Sequence, residues 1–66
     1  MTPERFKQIR KLLGHTANSL AARLRCDPRT VRRYEQPEGQ KGHRAVPTRV
    51  AEDMERWLVE KTLKGS

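Results

Sequence analysis

The sequence predicts an all-α domain, a compact set of four helices in which two short ones are joined by a tight turn. Three observations carry this. Apolar residues recur at helical spacing: Phe6, Ile9 and Leu13; then Leu20, Ala21 and Leu24; then Val31 and Tyr34. Side-chain acceptors stand before proline at Thr2-Pro3 and Asp27-Pro28, a pairing that suits a helix start because the missing N–H of proline would have no partner there anyway. Stop signals follow the apolar stretches at Gly14 and Pro37.

The first helix is expected over about 3–13, with Thr2 as N-cap, Glu4 in the first turn, Leu12 beside the apolar stripe and Gly14 after it. Thr16 caps the second, which runs to about Arg25. The third starts at Pro28 and runs to about Gln36, giving a two-helix motif at about 16–36. Residues 37–45 hold a proline and two glycines without apolar periodicity and read as a loop. Pro47 opens the last helix, about 47–63. At about 100° per residue, Val50, Ala51, Met54, Trp57 and Leu58 share one stripe of that helix, while Val59 and Leu63 fall outside it.

At 66 residues the chain is expected to be one domain, 1–66, so small that burial alone leaves it marginally stable. No catalytic cavity is expected in it. One cysteine excludes an intrachain disulfide, and no apolar run approaches the ~18 residues of a membrane span, so a cytoplasmic setting without a membrane partner is expected. The net charge of +7 lies entirely in residues 1–45, which hold 11 Lys/Arg against 4 Asp/Glu; residues 46–66 hold 4 against 4. The basic part contains the two-helix motif, and Arg29, Arg32 and Arg33 concentrate charge on its second helix. An amphipathic membrane-surface helix would set large apolar residues opposite such charge, and this helix offers only Val31 and Tyr34.

Residues 16–35 resemble the helix-turn-helix of the Cro/C1-type (xenobiotic-response-element) phage repressor family, whose pattern is Thr, Leu-Ala, Leu, a turn, a polar cap, a β-branched residue and a closing Glu. Here those places hold Thr16, Leu20-Ala21, Leu24, Asp27, Val31 and Glu35. Phe6, Ile9-Arg10 and Leu13-Gly14 resemble the family's first helix, and the resemblance implies a lambda-repressor-like fold. Two positions depart from the pattern. Arg25 stands where the turn usually has glycine, which implies a strained or reshaped turn, and Ala17 replaces a glutamine that often touches a DNA phosphate. A narrower resemblance, carried by Arg32-Arg33-Tyr34 and the stretch from Gly42 to Pro47, is to small anti-CRISPR-associated phage repressors that shut down their own operon.

The family's docking mode lays the second helix of the motif in the major groove. Arg29, Arg32, Arg33 and Thr30 are then the expected base contacts, with arginine forks matched to guanine O6 and N7. Thr16 and the free N–H groups at the start of the second helix are expected to hold phosphate, with Arg23, Lys41 and Arg44 nearby. The resemblance also implies a structural pair, Arg10 with Glu35, that locks the recognition helix to the scaffold. Val59 and Leu63 are the expected dimer interface.

His15, Cys26 and His43 lack the short-spaced pairs of a zinc site, so no metal and no cofactor is expected. Ser19, His15 and Asp27 are not read as a hydrolytic triad, since Ser19 falls where the helix caps or packs. The resulting expectation is a nonenzymatic, nucleoid-associated repressor that binds double-stranded DNA as a homodimer on an inverted repeat. Two other readings fit the same motif: an antitoxin-like protein that grips an unidentified protein partner and autoregulates, and an excision-directing DNA-bending protein.

Overall fold

Thr2 opens the first helix, α1 (Pro3–Leu12), by accepting the Arg5 N–H on its side chain at 3.1 Å. The computed structural model describes residues 1–64; the last two residues of the expected 1–66 domain lie outside the described residues. Three more helices follow: α2 (Ala17–Leu24), α3 (Pro28–Glu35) and α4 (Thr48–Lys64). The chain is therefore all-α, as expected, and no strand occurs among the described residues.

Each helix end differs slightly from its expected place, for a local reason. Leu13 closes α1 rather than extending it, because the His15 N–H bonds Arg10 O and the Gly14 N–H bonds Lys11 O, with Gly14 at φ 78°. This paired return of N–H groups is a Schellman turn. The same pattern ends α2 one residue earlier than expected: the Cys26 N–H reaches Ala21 O at 2.9 Å and the Arg25 N–H reaches Ala22 O at 3.2 Å. Arg25 takes the left-handed conformation, φ 59° and ψ 45°, so the turn keeps the geometry that glycine would favour and accepts its strain. Gln36 is extended ahead of Pro37 and leaves α3, ending it at Glu35. Pro47 stands outside α4 and contributes its carbonyl to the Ala51 N–H, so the helix starts at Thr48; it continues to Lys64.

Phe6 and Ile9 of α1, Leu20 and Ala21 of α2, Val31 and Tyr34 of α3 and Met54 of α4 form the buried core. Phe6 meets Tyr34 edge to face, with ring centroids 5.4 Å apart. Of the stripe expected on α4, Met54 alone is fully buried; Val50, Ala51, Trp57 and Leu58 are half-buried. Cys26 is half-buried against the core, with its thiol pKa raised by burial and then by Asp27. α2 packs chiefly on α3, and α1 touches both α3 and α4. No helix among the described residues is long and apolar enough to cross a membrane.

Candidate nucleic-acid interface

α3 is oriented from both of its ends. At its start the Asp27 carboxylate accepts the Arg29 N–H at 2.8 Å, and Asp27 O accepts the Thr30 N–H at 2.9 Å, so the first turn is held before any packing acts. At its last turn Glu35 accepts from two nitrogens of the Arg10 guanidinium, at 2.8 and 3.1 Å, while the third donates to His15 O at 3.0 Å. The two side chains are only 15% and 13% exposed, which places this bidentate pair largely out of water. Between those anchors Val31 and Tyr34 enter the core, and burial raises the Tyr34 phenol's pKa against the smaller lowering effect of Arg44.

The side chains left over define a face. At 100° per residue, Arg32, Arg29 and Arg33 fall within an arc of about 100° centred opposite Val31 and Tyr34. All three are exposed, and none of their side chains has a hydrogen-bond or ion-pair partner among the described residues. Thr30 is half-buried on the flank of that face rather than at its centre.

The expected phosphate holders sit in different surroundings. Thr16 and Ser19 form a capping box: Thr16 Oγ1 accepts the Ser19 N–H at 3.1 Å and Ser19 Oγ accepts the Thr16 N–H at 2.9 Å. The first-turn N–H groups of Ala17 and Asn18 have no intrahelical acceptor. Arg44 is joined to the last turn of α3 through its backbone, whose N–H donates to Arg33 O at 3.2 Å, and its side chain is exposed. Lys41 is exposed in the loop and makes no hydrogen bond or ion pair among the described residues. Arg23 is committed elsewhere, with its guanidinium carbon 3.9 Å from the centre of the Trp57 ring and one arm 3.3 Å from His15 Nε2.

Sequence reasoning missed that last arrangement, because Arg23 and Trp57 are far apart in the chain and no local spacing joins them. His15 completes it. Its pKa is lowered, first by burial and then by Arg23 and Lys61, which favours the neutral ring. Arginine only donates, so Nε2 accepts and Nδ1 carries the proton, which it gives to Ser19 Oγ at 2.9 Å. His15 and Ser19 therefore do meet, but as a link between cap and stack; Asp27 is occupied in capping α3. A second missed clamp is His43, whose Nδ1–H donates to Gln36 O at 2.9 Å and pins the 37–45 loop to the end of α3. Gly42 is required there, since it has φ +101° and a Cβ on it would lie 3.1 Å from Gln36 Oε1.

No three His, Cys, Asp or Glu side chains converge on a point that would hold a metal among the described residues. On α4, Val59 and Leu63 are 56% and 76% exposed and lie one turn apart on the outer surface. Comparison of the chain with family models, with curated proteins and with solved structures finds no match.

Proposed function

We propose that this chain is a sequence-specific double-stranded-DNA-binding repressor that inserts α3 into the major groove. The observation that carries the reading is the arginine face of α3. Three guanidinium groups without intramolecular partners among the described residues lie opposite the buried side of a helix fixed at both ends. Arginine forks on one rigid face match the paired acceptors of guanine, so Arg29, Arg32 and Arg33 read bases and Thr30 contributes from the flank. The first-turn N–H groups of Ala17 and Asn18 beside Thr16, together with Arg44, hold the flanking phosphates; Lys41 adds an exposed charge. Arg23 contributes from a distance, because its stack on Trp57 competes with direct contact.

Two copies bind an inverted repeat through α4, with Val59 and Leu63 meeting their own copies across a twofold axis. The resemblance in residues 16–35 supports repression by occlusion of a promoter, with the chain controlling its own phage or mobile-element operon in the cytoplasm, at the nucleoid. No catalysis, metal or cofactor enters this mechanism.

Selection from a pool of randomised duplexes tests the proposal. The expected outcome is enrichment of a guanine-containing inverted repeat whose half-sites lie about one helical turn apart, bound by two chains in sedimentation. Absence of any enriched sequence, or a single chain on the enriched site, contradicts it.

A further inference from the structure

A second basic site lies between the end of α2 and the first half of α4, where a cleft of about 480 Å³ contains none of the residues of α3. That volume falls within the range of ligand sites, about 300–1,000 Å³. Its floor is apolar, made by Leu24, Val50 and Trp57, whose inner surfaces also pack on the core. Its walls carry Arg23, Arg25 and Arg49. The Arg25 and Arg49 side chains are exposed and without hydrogen-bond or ion-pair partners among the described residues, whereas the fourth polar lining residue, Asp53, is bound by Arg56 at 3.1 Å. Arg25 is also the single non-glycine residue at positive φ among the described residues. A strained arginine at a turn that glycine would fit better places a cation at the mouth of the cleft at a cost in stability.

We propose that this cleft docks an acidic peptide segment of a partner protein. Carboxylates of the segment pair with Arg25 and Arg49, and an apolar side chain between them rests on Leu24 and Val50, beside the Trp57 ring that Arg23 covers. A nucleic-acid strand fits the same cleft poorly. Its phosphates would meet Asp53, it has no apolar side chain for the floor, and Arg23 already covers the Trp57 face on which a base would stack. Asp53 suits a peptide, whose backbone N–H can donate to the carboxylate oxygen left free by Arg56. The proposal does not rest on the DNA reading: the two sites share no α3 side chain, and Arg23, common to both, is held on Trp57.

Trp57 is the only tryptophan in the chain, so tryptophan fluorescence reports from the cleft that it lines. The probe is a blocked synthetic peptide, Glu-Asp-Leu-Glu-Glu-Phe-Glu, which contains neither Trp nor Tyr, titrated into the full chain at low ionic strength. The expected result is a saturable fluorescence change that weakens at least about tenfold in Arg25→Gly with Arg49→Ala, the loss of two charge-assisted contacts. It should persist in Arg29→Ala with Arg33→Ala and disappear when the acids of the peptide are replaced by their amides. Glycine suits the left-handed turn, so Arg25→Gly keeps the fold, and a thermal melt of the same sample verifies this. Absence of a saturable change overturns the proposal, as does equal binding by the Arg25/Arg49 variant. Competition by duplex DNA that requires Arg25 and Arg49 would assign the cleft to nucleic acid and overturn it too.

Discussion

α1 and α3 are both rich in arginine, yet they treat it in opposite ways. Both arginines of α1 are paired, Arg10 with Glu35 of α3 and Arg5 with Glu55 of α4, so this helix uses its charge to tie the domain together. None of the three arginines of α3 has an intramolecular partner among the described residues. The difference teaches how to separate structural from functional charge in so small a domain. A guanidinium already satisfied by a carboxylate stabilises the fold, whereas one held on a rigid face with nothing to bind repels its neighbours and becomes favourable only with an external anion.

The largest break in that comparison comes from the buried pair. Glu35→Ala leaves the Arg10 guanidinium largely out of water with only His15 O as acceptor, and is expected to cost about 3 kcal/mol. Urea unfolding followed by circular dichroism measures this; a loss under about 1 kcal/mol would show that the pair is solvated like a surface one. Arg25→Gly tests the opposite sign. Relieving a left-handed arginine is worth about 1 kcal/mol, reduced somewhat by the extra freedom of glycine in the unfolded chain. Its melting temperature should therefore rise, and a fall would mean that the Arg25 side chain supports the fold. Arg5→Ala is expected to give the smallest change. Its pair with Glu55 is 3.4 Å long with side chains 42% and 46% exposed, so unfolding should move by less than about 1 kcal/mol.

Much of this contrast was legible in the chain. Thr2-Pro3, Thr16 and Asp27-Pro28 fixed three helix starts through chemistry within a few residues, and the helical period separated Val31 and Tyr34 from the arginines between them. The Arg10–Glu35 pair came into view only through resemblance, because nothing in local spacing aligns residues on α1 and α3. The stack of Arg23 on Trp57 left no signal at all. It depends on how α4 crosses α2, and periodicity gives a helix its face but not the neighbour that the face meets. The 37–45 loop was legible as a loop, while its attachment through His43 and the Arg44 backbone rests on hydrogen bonds that composition does not encode.

The most direct test of the claim that α3 holds its arginines for DNA compares stability with discrimination in a single variant, Arg29→Ala with Arg32→Ala and Arg33→Ala. Affinity for the selected duplex and for a scrambled one is measured by fluorescence anisotropy at fixed salt, and unfolding by urea on the same preparation. The account predicts that preference for the selected duplex collapses, each lost base contact removing about 1–3 kcal/mol of discrimination. Unfolding should change by no more than about 0.5 kcal/mol per site, since these side chains support nothing within the fold. A variant that keeps its preference for the selected duplex, or one that loses binding only because it unfolds, would contradict the account.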